Sequence, residues 1–177
     1  MESEQQLLTL VIQGGDRKAQ RRLYERFAGM VTAIALRYVG NGERVNDVVQ
    51  ETFLKAFSQI GNFKLKHDGA LKAWVARLTV NSAIDMLRTT NKIKFTDNIP
   101  DVPDEEPDIG KVSDQELSDM IGQLPEGCRT VLNLFVFERL SHQEIAQRLG
   151  IKADTSASQY AYAKKLLAKM IKRKETK

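Results

Sequence analysis

The segment 141–151 reads SHQEIAQRLGI and carries the most specific pattern in the chain. Ser141 and Glu144 stand at capping-box spacing, which predicts a helix that begins directly after Ser141. Ala146 is small and Gly150 supplies a turn, so a second helix can cross the first closely and at a steep angle. The segment therefore predicts a helix-turn-helix unit, a motif common in DNA-binding proteins that also occurs in proteins that never contact DNA.

The second helix of this unit follows Ile151 after a short turn and is predicted to have a polar outer face and a basic end. Short polar groups suit base edges, and lysines suit phosphates. Basic residues near a helix C-terminus also stabilise the helix dipole, so part of the basic end has a structural explanation. The outer face holds Asp154, Thr155, Ser158, Gln159, Tyr162 and Lys165, and the basic end holds Lys164, Lys165, Lys169, Lys172, Arg173, Lys174 and Lys177.

The middle of the chain is marked by proline and acid. All four prolines lie between positions 100 and 125, and three of them fall in the segment 99–108, IPDVPDEEPD. Proline removes amide donors and disfavours helix at the preceding residue, and this segment has almost no large apolar side chain to bury. We therefore predict a flexible acidic linker over 93–112, either a solvated spacer or a segment whose acidity has a use.

The N-terminal part of the chain predicts four helices and no strand. Apolar residues recur at spacings of three and four over 5–12, 17–39, 43–59 and 70–89. Asp16 is the expected N-cap of the second helix.

These patterns predict an all-α protein of two small helical domains. A four-helix domain would cover 1–92, the flexible linker 93–112, and a helix-turn-helix domain 113–177. In the third helix, Phe53 is predicted to face inward, whereas Asp47, Gln50, Glu51 and Lys55 are predicted to face outward.

Charge is distributed unevenly along the chain. The formal net charge of +4 is the sum of +5 over residues 1–92, −5 over 93–115 and +4 over 116–177. Basic blocks of this kind favour a polyanionic partner such as nucleic acid. In the fourth helix and the loop before it, aromatic and basic residues alternate, a pattern that suits single-stranded nucleic acid, although Trp74 could equally be a core residue. The basic and aromatic residues are Phe63, Lys64, Lys66, Lys72, Trp74, Arg77, Arg88 and Lys92, with Asn81 among them.

Cysteine and histidine are too few for a metal centre or a disulfide framework. Cys128 is the single cysteine, and His67 and His142 lie far apart. Cys128 has no histidine nearby in the sequence and is interpreted as a core or half-buried thiol. The acids Asp47, Glu51 and Asp85 lack an accompanying nucleophile, metal-ligand set or glycine-rich phosphate loop, and are interpreted as solvated or protein-contacting. The sequence thus predicts no catalytic residue, no metal and no cofactor, and a protein that is not an enzyme.

No segment predicts insertion into a membrane. Residues 1–4, MESE, are acidic, opposite to a signal peptide, and the most apolar run, 27–36, is about half as long as a bilayer span. The expected location is the cytoplasm.

Three ordered motifs together resemble one family. The segment 47–57, DVVQETFLKAF, is similar to the polymerase-binding helix of bacterial RNA polymerase sigma factors of the extracytoplasmic-function (ECF) group of the sigma-70 family. The segment 74–88, WVARLTVNSAIDMLR, is similar to the promoter-melting helix of these factors. The segment 124–159 is similar to their helix-turn-helix, although Asp154, Ala157 and Tyr162 stand where many members have Gly, Lys and Arg.

The resemblance implies three binding surfaces. The first would bind core RNA polymerase, the second the minus-10 element as it melts, and the third the minus-35 element as duplex. The implied polymerase-binding residues are Asp47, Gln50, Glu51, Phe53 and Leu54. The implied minus-10 residues are Lys64, Lys66, Trp74, Arg77, Asn81 and Arg88. The implied minus-35 residues are Ser141, Thr155, Ser156, Ser158, Gln159, Tyr162 and Lys165.

The resemblance also implies a function and partners. The chain would be a transcription initiation factor that binds the large subunits of core RNA polymerase and directs them to promoter DNA. An anti-sigma factor, membrane-bound in many members, would control it. The linker would thread towards the polymerase active-site cleft, where its acids could occupy a basic nucleic-acid channel until RNA displaces them. These acids are Asp101, Asp104, Glu105, Glu106 and Asp108.

Two other functions remain open from the residues alone. An autonomous helix-turn-helix regulator would bind duplex DNA without polymerase, normally as a dimer on a palindrome. A protein-binding adaptor would show no dependence on DNA at all.

Overall fold

The computed structural model describes residues 3–14, 17–40, 42–90, 93–95, 99, 103 and 105–176. Throughout these residues the chain forms α-helices and two short 3₁₀ turns without a strand, so the all-α prediction is confirmed. The expected N-cap Asp16 lies outside the described residues. The chain divides into two compact units, Met1–Thr90 and Asn91–Lys177.

The first unit contains four α-helices. They are α1 (Glu4–Gly14), α2 (Arg17–Val39), α3 (Glu43–Gln59) and α4 (Ala70–Thr90), and a 3₁₀ turn at Ile60–Asn62 follows α3. Helices α2, α3 and α4 pack against one another, while α1 packs on α2 and on the 3₁₀ turn.

Each of these helices buries one apolar stripe. In α2 the buried residues include Leu23, Val31 and Tyr38, which are spaced by seven or eight residues along one face. Val48 of α3 and Leu71 of α4 are also fully buried. Burial of each such side chain contributes roughly 1.5–3 kcal/mol, which makes this shared stripe the main source of stability. The opposite faces of α3 and α4 are consequently left exposed.

The second unit is built around one long helix. A 3₁₀ turn at Ile109–Lys111 precedes α5 (Asp114–Gly122), α6 (Glu126–Val136), α7 (His142–Leu149) and α8 (Ala153–Glu175). Helices α5, α6 and α7 all pack on α8. The core of the unit comprises Ile121, Leu124, Cys128, Leu132, Ala163 and Leu167.

The capping box at the start of α7 is confirmed. The Glu144 N–H donates to Ser141 Oγ at 3.2 Å, and the Ser141 N–H donates to Glu144 Oε2 at 2.8 Å. The bond from the Ser141 N–H to the carboxylate is the main reason that the pKa of Glu144 lies below its ordinary value. Gly150 ends α7 with a φ of 69°, the left-handed conformation that glycine adopts without strain.

The second unit also holds the first described residues after α4. A Cβ atom on Gly127 would lie 2.8 Å from the Lys94 carbonyl oxygen and 3.0 Å from the Phe95 ring. Residues 94 and 95 therefore lie against α6, although both fall within the predicted flexible linker. The close approach explains why the second position of α6 is a glycine.

Cys128 is a core thiol. It is fully buried and donates a hydrogen bond from Sγ to Gln159 Oε1 at 3.1 Å, linking α6 to α8. Burial disfavours the thiolate and raises the pKa of Cys128 from 9.0 to about 11.

We predict that Cys128 is unreactive until the second unit unfolds. At pH 8 the raised pKa leaves about 100-fold less thiolate than a thiol of ordinary pKa, and burial blocks the reagent as well. Alkylation by iodoacetamide, followed by mass spectrometry across a urea titration, measures the rate. Rapid labelling of the native protein at pH 8 would contradict this description of the core.

Candidate protein and nucleic-acid interfaces

An acidic groove runs between the exposed faces of α3 and α4. On α3 it is lined by Asp47, Gln50, Glu51, Leu54 and Lys55, and on α4 by Ser82, Asp85, Met86 and Thr89. Leu54 is 65% exposed, more than any other large apolar side chain in the part of the chain that the structure describes. Lys55 Nζ lies 3.4 Å from both Glu51 Oε1 and Asp85 Oδ2, so one lysine bridges the two walls.

The structure corrects one of the implied polymerase-binding residues. Phe53 is only 4% exposed, and its ring centroid lies 4.6 Å from that of Tyr24 and 6.0 Å from that of Phe57. Its helical phase turns it away from Leu54 and into the stripe shared with α2. Phe53 is therefore a core residue that supports the groove from below.

A basic stripe lies on α4 beside this groove. Helical spacing places Trp74, Arg77, Asn81 and Arg88 along one line of the helix. Both arginines are exposed, whereas Trp74 and Asn81 are half-buried. Asp85 lies at the border between the stripe and the groove.

The loop 63–69 continues the basic stripe. Lys64 and Lys66 are exposed, and Phe63 lies with its ring centroid 4.9 Å from that of Trp74, at an interplanar angle of 34°. Trp74 is thus neither a buried core residue nor a free side chain. It rests on Phe63 and keeps part of its surface accessible, an arrangement suited to stacking on a base.

The helix-turn-helix in the second unit presents an outer surface of small and polar side chains. At the start of α8 the exposed residues are Asp154, Ala157, Ser158 and Ala161. Thr155, Tyr162 and Lys165 are half-buried at its edges, and Ser141 is exposed at the start of α7. From the sequence, no contact was assigned to Ala157 or Ala161, because an exposed alanine carries no chemical signal. Their small size nevertheless allows another surface to approach closely.

Two of the implied minus-35 residues are buried. Ser156 is fully buried, and its Oγ shares a hydrogen bond with His142 Nδ1 at 2.9 Å. Gln159 is 1% exposed and accepts the hydrogen bond from Cys128. Both side chains face the core of the second unit, so they hold α8 against α6 and α7 and are not surface contacts.

An aromatic cluster fixes the angle between these helices. The rings of Phe135 and His142 are stacked with centroids 4.6 Å apart, and Tyr160 lies 4.4 Å from Phe135. These three residues come from α6, α7 and α8 respectively. The cluster and the Ser156–His142 bond together set the direction in which the outer face of α8 points.

Acidic residues before α5 contact the basic residues of α8. Glu106 Oε1 lies 2.5 Å from Lys164 Nζ, and Glu105 Oε2 lies 2.5 Å from Lys172 Nζ. Pro103 and Glu105 also line a groove with Lys165, Lys169, Lys172, Arg173 and Thr176 of α8. Of the acids expected to have a role of their own, Asp101 and Asp104 lie outside the described residues, as does Lys92 of the basic set.

The described part of the chain offers no cluster of histidine, cysteine, aspartate or glutamate able to hold a metal ion. In the same part, every helix is too short or too polar to cross a membrane.

Comparison with known proteins identifies relatives of both units. The family model for Sigma-70 region 2 matches residues 23–93, and the model for Sigma-70, region 4 matches residues 114–167. The RNA polymerase sigma-H factor of Pseudomonas aeruginosa is 29% identical over 96% of this chain and 94% of its own length. The ECF RNA polymerase sigma-E factor of Haemophilus influenzae is 29% identical over 94% of each. CnrH, solved in complex with the cytosolic domain of CnrY, is similar with a TM-score of 0.48 and 23% identity, over 94% of this chain and 96% of that one.

We predict that the acids before α5 weaken binding of polyanions to α8. The variant Glu105→Gln/Glu106→Gln should bind random-sequence duplex DNA about 2- to 30-fold more tightly at low salt, because it removes the ion pairs of Glu106 with Lys164 and of Glu105 with Lys172. Fluorescence anisotropy over a salt titration measures this.

The matched control is Asp119→Asn/Glu138→Gln, which removes the same formal charge elsewhere in the second unit. An equal gain in affinity in both variants would mean that net charge, and not release of these lysines, is responsible.

Proposed function

Given that this chain belongs to the sigma-70 family, in its extracytoplasmic-function group, and is a transcription initiation factor that directs RNA polymerase to promoters, we propose that its three exposed surfaces divide the work of promoter recognition. The observation that carries the proposal is the placement of an acidic groove containing an exposed leucine beside a basic, aromatic stripe in one compact unit. The first surface suits a protein, and the second suits nucleic acid.

The groove between α3 and α4 is the proposed polymerase-binding surface. Asp47, Gln50, Glu51 and Leu54 would contact the clamp helices of the largest catalytic subunit, with Leu54 as the apolar anchor. The acids around it would favour a basic partner surface and select its orientation. Phe53 contributes only by holding α3 in place.

The stripe on α4 and the loop 63–69 form the proposed minus-10 surface. Lys64, Lys66, Arg77 and Arg88 would hold phosphates, and the Trp74 ring would stack on a base of the separated non-template strand. Asn81 lies on the same line and would contact that strand too. Such a surface stabilises open DNA because it stacks on a base whose faces are inaccessible in the duplex.

The outer face of α8 is the proposed minus-35 surface. Thr155, Ser158 and Tyr162 would contact base edges, and Lys165 would contact a phosphate. Ser141 at the start of α7 would contact the DNA backbone. The small side chains of Ala157 and Ala161 would allow α8 to lie deep in the major groove.

The proposed activity consists of binding alone, so it requires no catalytic group, metal or cofactor from this chain. It places the protein in the cytoplasm, where the polymerase acts. An anti-sigma factor would control the protein by covering the groove that the polymerase needs, since Leu54 offers an apolar anchor to either partner.

Reconstituted transcription separates this function from its two alternatives. A sigma factor yields a promoter-specific transcript only when core polymerase is added. An autonomous regulator binds duplex DNA without polymerase, and an adaptor shows no dependence on DNA. Absence of a specific transcript under every condition would count against the proposal.

We predict that Glu51→Ala/Leu54→Ala weakens binding to core polymerase by about 10-fold or more, because the change removes both the apolar anchor and a charge beside it. Competition with a labelled sigma factor for bacterial core polymerase measures the affinity. The control Leu10→Ala/Glu43→Ala removes an exposed leucine and an exposed glutamate elsewhere in the same unit. Equal losses in both variants would contradict the proposed groove.

We also predict that Trp74→Ala impairs DNA opening but leaves binding to core polymerase intact. Loss of one stacked base should reduce open complexes about 5- to 100-fold, whereas Trp74→Phe, which keeps an aromatic ring, should lose far less. Permanganate footprinting of the minus-10 region measures opening. A template already unpaired at minus-10 should restore much of the Trp74→Ala transcript, and equal defects on paired and unpaired templates would argue against a role in opening.

A further inference from the structure

The first residue of α1 is a buried carboxylate bound to the start of α4. Glu4 is only 4% exposed. Its Oε2 accepts hydrogen bonds from the N–H groups of Gly69 at 3.0 Å and Leu71 at 3.1 Å, and its Oε1 accepts from the N–H of Lys72 at 3.1 Å. Bonds of this kind to an ionised acceptor are stronger than those between neutral groups.

The position of Glu4 is fixed by its own helix. The Gln6 N–H donates to Ser3 Oγ at 3.1 Å, and the Ser3 N–H donates to Gln6 Oε1 at 2.9 Å, so the start of α1 is capped. Leu7, with Leu8 and Val11, then anchors α1 in the core of the first unit. Glu4 is thereby held on a rigid element.

Glu4 completes the N-terminus of α4. The first N–H groups of a helix have no partner within the helix. Here the Ala70 N–H donates to the His67 carbonyl at 3.2 Å, and the Ala73 N–H makes the first helical bond, to Gly69. The two N–H groups between them, of Leu71 and Lys72, both donate to Glu4. A carboxylate at this end is also favoured by the helix dipole.

The loop 63–69 is consequently fastened at both ends. At its start, the Phe63 ring rests on Trp74, and the Phe63 N–H donates to the Ile60 carbonyl at 3.0 Å. At its end, Glu4 holds the Gly69 N–H. Lys64 and Lys66 lie exposed between these two attachments.

We propose that Glu4 is a positioning residue for minus-10 recognition: it fixes the end of the loop and the first turn of α4 so that Lys64, Lys66 and Trp74 keep one arrangement towards the separated DNA strand. This inference rests on the proposed function of that surface. Glu4 is buried, so it would act only through the backbone N–H groups that it binds.

The test uses the variant Glu4→Gln in the full chain assembled with core polymerase. Glutamine keeps the size of the side chain but replaces one accepting oxygen with an NH₂ group that cannot accept from a backbone N–H. Affinity for a single-stranded oligonucleotide with the minus-10 non-template sequence of a transcribed promoter should fall about 5- to 30-fold. Binding to core polymerase should stay unchanged, because the groove of Asp47 and Leu54 is a separate surface.

Hydrogen exchange tests the local cause directly. In Glu4→Gln the amides of Gly69, Leu71 and Lys72 should exchange about 10-fold faster or more, while those in the middle of α2 should not change. Glu4→Asp retains the carboxylate and should recover part of both losses. The control Glu43→Gln removes a first-turn glutamate of α3 that is exposed, and it should leave both readouts unchanged.

Lys66→Gln separates failure of this inference from failure of the proposed function. If Lys66→Gln weakens oligonucleotide binding and Glu4→Gln does not, the surface binds DNA but Glu4 does not position it. If neither variant weakens binding, both ideas fall. The inference would be overturned if Glu4→Gln exchanged faster but kept its affinity for the oligonucleotide. It would also be overturned if oligonucleotide binding and polymerase binding fell equally. Either result would mean that Glu4 only stabilises the fold.

Discussion

Burial of the apolar stripe shared by α2, α3 and α4 is the constraint on which the rest of the first unit depends. Val48 and Phe53 of α3 and Leu71 of α4 turn towards α2 and are buried. Helical geometry therefore places the acidic residues of α3 and the basic residues of α4 on the surface. The two exposed faces therefore lie side by side because their opposite faces share one core. The same packing therefore accounts for both the acidic, leucine-containing groove and the basic, aromatic stripe.

Hydrogen bonds to the N–H groups at helix N-termini also shape both units. In the second unit, local capping boxes at Ser113 and Ser141 begin α5 and α7, and each uses a glutamate three residues further on. In the first unit, α4 receives its carboxylate from α1. A local cap specifies only where its own helix begins, whereas Glu4 ties two helices and a loop into one body. The difference matters because the residues proposed to bind single-stranded DNA stand on that loop and that helix.

The sequence predicted helices and caps well because both signals are local. The bounds of α2 and α3 and the capping box of Ser141 agree with the structure, and the resemblance to ECF sigma factors is confirmed by the comparisons. The resemblance implied surface contacts for Phe53, Ser156 and Gln159, but all three side chains are buried, because helical phase and not the motif decides which side chains face the core. For Phe53, the spacing of apolar residues in α3 had already predicted the inward position. Glu4 could not be found from the sequence, since its three donors lie 65 to 68 residues away. The contacts of Glu105 and Glu106 with α8 were not predicted for the same reason, because composition alone left open whether the segment is a solvated spacer or has a use for its acidity.

Adjacent surfaces of one small unit are proposed to bind different partners: polymerase in the groove between α3 and α4, and the non-template strand on the stripe of α4 and the loop 63–69. Site-specific photocrosslinking in a single promoter complex tests this most directly, with a photoreactive residue at position 54 or at position 66. Position 54 should crosslink to the largest polymerase subunit, and position 66 to the non-template strand. Crosslinking of position 54 to DNA, or of position 66 to polymerase alone, would contradict it.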